Sequence, residues 1–356
     1  MRLDVRARLA VDDIQLAVDR LETETRGPLV RFDRYRERRQ RTKRLTTGAL
    51  AAIVAISALL FALRALQPHP TPASPTVPPG TILYGDWHAK AQDASWFTIS
   101  TDGSARTDLG VTATCATWFP SGDRILITND QEFHRTGGPL RPASVEPDGS
   151  GRVPLDGLTD PLLNLGCGDV SPDQSELALE GWVSHASSRS GIYEVRASDG
   201  SGLIRLTHGQ DSVPEYSPDG TQVAFFRTKT GITPDGSGAI FVINTDGTGL
   251  RRLTPWGWTF LFEAWSPDGQ WIAFQKPYGE LYLVRPDGSD LHEVPLALPA
   301  GMGASNPAWS PDGQWLVFTA QNGDVSSLWA AHPDGSALQQ MTQPSAVQQT
   351  QSSWRP

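Results

Sequence analysis

Two short signatures alternate along the chain, and their phase limits what it can fold into. The first is a bulky residue followed by Ser-Pro-Asp-Gly and an apolar run. It reads YSPDGTQVAFF at Tyr216–Phe226, WSPDGQWIAF at Trp265–Phe274 and WSPDGQWLVF at Trp309–Phe318. Degenerate copies are WFPSGDRILI at Trp118–Ile127 and VSPDQSELAL at Val170–Leu179. The second signature is Asp-Gly-Ser/Thr, starting at Asp102, Asp148, Asp199, Asp246, Asp287 and Asp334, at intervals of 46, 51, 47, 41 and 47 residues. Six phased copies of a unit this long predict stacked repeats. A further Pro-Asp-Gly at Pro234–Gly236 falls out of phase and reads as loop.

Each signature has a backbone reason. Proline presets the first central position of a tight turn, and glycine accepts the positive φ that follows. Between the signatures lie runs such as AIFVIN (Ala239–Asn244) and ELYLVR (Glu280–Arg285), rich in β-branched and aromatic residues. One repeat therefore reads strand a, SPDG turn, strand b, loop, strand c, DGS turn, strand d. A lone sheet of this kind leaves two apolar faces uncovered, so neighbouring sheets must stack around an axis. The expected fold is all-β, a six-bladed β-propeller over residues 81–356. Its ends fit together: TILYGDW (Thr81–Trp87) and SWFTIS (Ser95–Ser100) read as strands b and c, while Ser353-Trp354-Arg355-Pro356 reads as the missing strand a.

Charge and hydropathy divide the part before the propeller. Residues 1–44 hold 13 Lys/Arg against 8 Asp/Glu, a net of +5, so the overall −9 leaves −14 for the remainder. From Leu45 to Leu63 no residue is charged and 15 of 19 are apolar. That run is long enough for one transmembrane helix, assigned to 45–66. Eight Lys/Arg fall between Arg31 and Arg44, which places the N-terminus in the cytoplasm and the propeller outside it. Residues 67–80, with six prolines and no Asp, Glu, Lys or Arg, read as a stiff stalk. The 1–44 tail carries Val11, Ile14, Val18 and Leu21 at helical spacing, a short helix suited to anionic lipid or a cytoplasmic partner. The expected localisation is the plasma (inner) membrane, held through 45–66. The acidic remainder excludes nucleic acid as a partner, because phosphate binding needs clustered Lys and Arg.

SPDG, an apolar strand and then DGS with a Leu-Thr ending, kept at Arg205-Leu206-Thr207 and Arg252-Leu253-Thr254, resembles the repeat of the TolB family, also called WD40-like or PD40. The resemblance covers about 81–356 and implies a propeller used for binding. The α/β domain that precedes the propeller in TolB has no counterpart here. The repeat also resembles the propellers of prolyl-oligopeptidase relatives, which gate a hydrolase domain. Gly303-Ala304-Ser305-Asn306-Pro307 lacks the last glycine of a nucleophile elbow.

With antiparallel strands, the SPDG and DGS turns emerge on one face and all irregular connections on the other, where binding residues usually sit. The richest connection holds Trp256, Trp258, Phe260 and Phe262, a partner-binding or sugar-stacking surface, or else a cover for the core. A second, Asp130–Val145, offers Phe133 and His134. Trp118, Trp265, Trp309 and Trp354 share one repeat position and Trp271 and Trp315 another, which signals packing between blades. Cys115 and Cys167 both lie three residues before their turn-flanking residue, on adjacent blades, and form a disulfide if their strands approach closely enough. The seven histidines show no metal-ligand spacing, so neither metal nor cofactor is expected. The expected function is a non-catalytic binding module for an envelope protein or carbohydrate. The alternatives are a transmembrane sensor reporting through its tail, or a propeller hydrolase or lyase.

Overall fold

The computed structural model describes residues 77–88, 93–128, 139–158, 160–184, 186–229, 238–258, 260–277, 279–323, 325–345 and 348–355. The tail, the apolar run 45–66, most of the stalk, and Phe133 and His134 lie outside the described residues.

Six four-stranded antiparallel sheets form the propeller. Their inner strands are Gln348–Arg355 in blade 1, Cys115–Trp118 in blade 2 and Asn164–Val170 in blade 3. Blades 4, 5 and 6 follow with Gln210–Tyr216, Phe260–Trp265 and Gly303–Trp309. Blade 1 joins the two ends of the domain: Gln348–Arg355 pairs antiparallel with Thr81–His88, so the last strand closes the ring around the first. A second contact seals that seam. The Arg355 guanidinium lies 4.2 Å from the centre of the Trp118 ring in blade 2 and donates to the Gly122 carbonyl.

The turn signatures act as local chemistry predicts. In blade 4, Asp219 accepts from the Ser217 hydroxyl (2.6 Å), the Thr221 amide (3.0 Å) and the Thr221 hydroxyl (2.8 Å). Gly220 sits at φ +71° with its amide on the Ser217 carbonyl. Asp268 and Asp312 repeat the pattern, so these aspartates are consumed by their own turns. The second turn is equally built: a Cβ on Gly149, at φ +84°, would stand 1.8 Å from the Leu109 carbonyl oxygen of blade 1.

The core lies between blades. Strands b and c alternate fully buried residues onto both faces, as in Val223–Phe226 and Ala239–Ile243. Trp118, Trp265, Trp309 and Trp354 are all buried beside neighbouring blades, and Trp309 donates its indole N–H to the Ala264 carbonyl of blade 5. Trp315 is buried with its ring edge-on to His332, while Trp271 is only half-buried, edge-on to His292 and under Arg285.

Candidate functional site: the irregular face and the channel

The chain enters the propeller through Val77–Gly80 at the rim where the SPDG turns emerge, since Thr81 begins a strand b there. The irregular connections therefore open on the opposite rim. Between blades 4 and 5, Trp256 and Trp258 flank Gly257, whose φ of +77° reverses the chain. The amides of Gly257 and Trp258 both donate to the Gly238 carbonyl, at 3.0 and 3.3 Å. The two rings then turn to different blades. Trp256 tilts against Phe241 of blade 4, centroids 5.6 Å apart, beneath Lys229 and Arg252 at 5.5 and 5.6 Å. Trp258 meets Tyr282 of blade 5 edge-on at 5.8 Å, under Lys276 at 4.3 Å. Both are half-buried, so each ring covers core on one side and faces outward on the other. Phe260 and Phe262 do not share this connection: their backbone already belongs to the inner strand Phe260–Trp265. Of the four aromatics expected in one connection, Trp256 and Trp258 lie in it and form a two-tryptophan shelf.

Beside Trp256 lies a groove of about 600 Å³ between blades 3 and 4, lined by Arg205, His208, Arg227, Thr228 and Lys229 among others. Its guanidiniums are held in place. Arg227 forks onto buried Asp211, with Nε to Oδ1 at 2.5 Å and a second bond of 2.7 Å, and stacks on Phe241 at 4.8 Å. Arg205 donates to the carbonyls of Ser190 (2.6 Å) and Thr207 (2.9 Å).

A cavity of about 490 Å³ occupies the central channel near the SPDG rim, lined by inner strands of all six blades. Three carboxylates face it from adjacent blades. Asp169 accepts the Tyr216 amide at 3.0 Å, and Glu215 accepts the Trp265 amide at 3.2 and 3.3 Å. Each thus ties its blade to the next. Glu263 is 7% exposed, and among the described residues no hydrogen-bond partner meets either of its carboxylate oxygens. Burial pushes the Asp169 carboxyl up to about 6 and that of Glu263 up to about 8. Glu215 is held well above the usual range by burial and by its neighbours Asp169 and Glu263.

Strand b supplies a matching set of ties. Glu180 accepts the Cys167 amide at 3.2 Å and interacts with the Val213 amide of blade 4, and burial raises its carboxyl to about 7. Gln275, at the same repeat position in blade 5, accepts the Asn306 amide of blade 6 at 2.9 Å. Val213 and Asn306 are the bulge residues of their inner strands, at φ +51° and +52°, a conformation a β-branched valine rarely adopts. These ties were missed in the sequence. Asp169 and Glu215 share one repeat phase, directly before Val170 and Tyr216, which was the available signal.

Cys115 and Cys167 are bonded, their Cα atoms 5.5 Å apart, joining the inner strands of blades 2 and 3. Among the described residues no group of three or more His, Cys, Asp or Glu is arranged to hold a metal ion.

This architecture defines a closed six-bladed propeller with an acidic channel and a cationic, tryptophan-bearing rim. The chain belongs to the PD40 family, the TolB beta propeller domain, whose pattern matches residues 164–356. Its fold is similar to the crystal structure of TolB from Acinetobacter baumannii, at 19% identity and a TM-score of 0.57, over 77% of this chain and 66% of that one. It is also similar to a chain of a nidogen/laminin complex, at 9% identity and a TM-score of 0.55, over 77% and 98%. At these identities the likeness is one of fold. A Bacillus subtilis (strain 168) protein named as the uncharacterized peptidase YuxL is 31% identical over 91 residues, 25% of this chain. The chain spans only 13% of that relative's length.

Proposed function

We propose that this chain is a non-catalytic binding module, displayed outside the cytoplasm from a single membrane span at 45–66. The observation that carries binding is the shelf of Trp256 and Trp258 beneath Lys229, Arg252 and Lys276. Tryptophans half-covered from below and ringed by cations are the residue types that dominate recognition surfaces. They stand on a rigid ring, at the rim opposite the chain's entry. Display outside the cytoplasm draws support from the uncharged run at Leu45–Leu63, from the eight Lys/Arg before it and from the Cys115–Cys167 bond, which suits an oxidising compartment. The 1–44 tail then lies in the cytoplasm, and an envelope protein or carbohydrate meets the shelf.

The test is affinity capture from detergent-solubilised native envelope, with the full-length chain as bait. A second bait carries Trp256→Ser and Trp258→Ser and is checked for an unchanged melting temperature. A component retained by the first bait and released by the second is the expected result. Equal capture by both would show that the shelf is only core cover.

A further inference from the structure

We infer that the groove beside Trp256 takes an anionic saccharide. The inference rests on the reading of the irregular face as the binding face and names the chemical class of its ligand. Three features of the groove converge on that class.

The first is charge. The chain beyond residue 44 carries a net −14, yet Arg205, Arg227, Lys229 and Arg252 gather at this one rim. Only Arg227 has a carboxylate partner, Asp211; among the described residues none pairs with Arg205, Lys229 or Arg252. An acidic protein repels polyanions everywhere except at such a patch.

The second is order. Arg227 is forked onto Asp211, whose other oxygen also receives the Thr207 hydroxyl at 2.5 Å, and Arg205 is pinned by two backbone carbonyls. Two guanidiniums fixed before any ligand arrives avoid the entropy that free surface side chains lose on binding. Lys229 and Arg252 are exposed and supply mobile charge at the edge.

The third is shape. Trp256 closes one side of the groove as a half-buried ring, with Thr228 and Gln210 offering hydrogen-bonding groups nearby. A sugar ring presents an apolar face to the indole, hydroxyls to those polar groups, and a carboxylate or sulfate to the cations. A space of about 600 Å³ falls within the ordinary range for small-ligand sites. The groove opens at the rim opposite Val77–Gly80.

The test is calorimetric titration of the full-length, detergent-solubilised chain with four probes at low salt. These are trigalacturonate, a sulfated carrageenan tetrasaccharide, neutral maltotriose and a hexaglutamate peptide. Binding of trigalacturonate or the carrageenan, weakened by added salt and absent for maltotriose, is the expected result. The two anionic sugars distinguish carboxylate from sulfate within the proposed class. Lys229→Gln with Arg252→Gln, both exposed, should leave the melting temperature unchanged and weaken binding about tenfold. Trp256→Ala should weaken it as much, and the exposed pair keeps the test valid if that variant unfolds. Tighter binding of hexaglutamate would overturn the inference in favour of an acidic peptide. Equal binding of maltotriose, or none by either anionic sugar, would overturn it too. Should capture of a native component persist while every saccharide fails, the binding module stands and the saccharide class falls.

Discussion

Removing the Cys115–Cys167 bond should cost the propeller a substantial part of its stability. The bond closes a loop with a sequence separation of 52 residues. The bond changes the entropy of the unfolded chain by about −2.1 − 1.5R ln n in cal/mol/K for n residues, which gives about −14 cal/mol/K here, a stabilisation of about 4 kcal/mol at 25 °C. The loop runs from the inner strand of blade 2 to that of blade 3, so reduction frees one blade-to-blade junction of the ring. Both cysteines are buried, at 4% and 7% exposure, and because Cys→Ala removes only the sulfur at each position, the cavity it adds is small. At about 2–4 °C per kcal/mol for a domain of this size, the double variant should melt about 10 °C below the parent. Scanning calorimetry of the full-length chain, oxidised, reduced and as the double variant, measures this directly. Thiol titration of the denatured, unreduced protein should find no free sulfhydryl, and two after reduction. Two free thiols before reduction would refute the bond, and a melting shift under about 2 °C would refute the entropic reasoning.

Deletion of residues 346–356 removes the strand that pairs with Thr81–His88 and the Arg355 contact with blade 2, and should abolish cooperative melting, since an open ring exposes two blade faces. An unchanged calorimetric transition would refute ring closure. The buried carboxyls set a pH dependence. Glu263 titrates near 8 and Glu180 near 7 when folded, above the ordinary carboxylate range, so the native state binds more protons than the unfolded chain between about pH 4.5 and 8. Stability should therefore be fully present below that window and fall as pH rises through it; Glu263→Gln should flatten the fall. A melting temperature that rises from pH 5 to 8 would contradict the assignment. Gly149→Ala places a Cβ against the Leu109 carbonyl of blade 1 and strains a φ of +84°, and should cost about 2 kcal/mol or more by denaturant titration.

The repeat and its closure were legible because both rest on local chemistry. A Pro-Asp-Gly turn has the same backbone requirement wherever it occurs, as Asp219, Asp268 and Asp312 show with their near-identical hydrogen bonds. Six such units at one period admit little besides a closed ring, and Trp354 announced which strand closes it. What the sequence could not determine depends on which residues meet across blades. Trp256 and Trp258 are two residues apart, yet one serves blade 4 and the other blade 5, because Gly257 reverses the chain between them. Phe260 and Phe262 left that group by entering an inner strand. Lys229 and Arg205 meet at one groove although 24 residues of chain separate them, and Asp169, Glu215 and Glu263 share one channel from three blades. Turn geometry is a property of four consecutive residues. Charge clusters, burial and carboxyl proton affinity are properties of neighbours in space, and those were decided by the stacking of the blades.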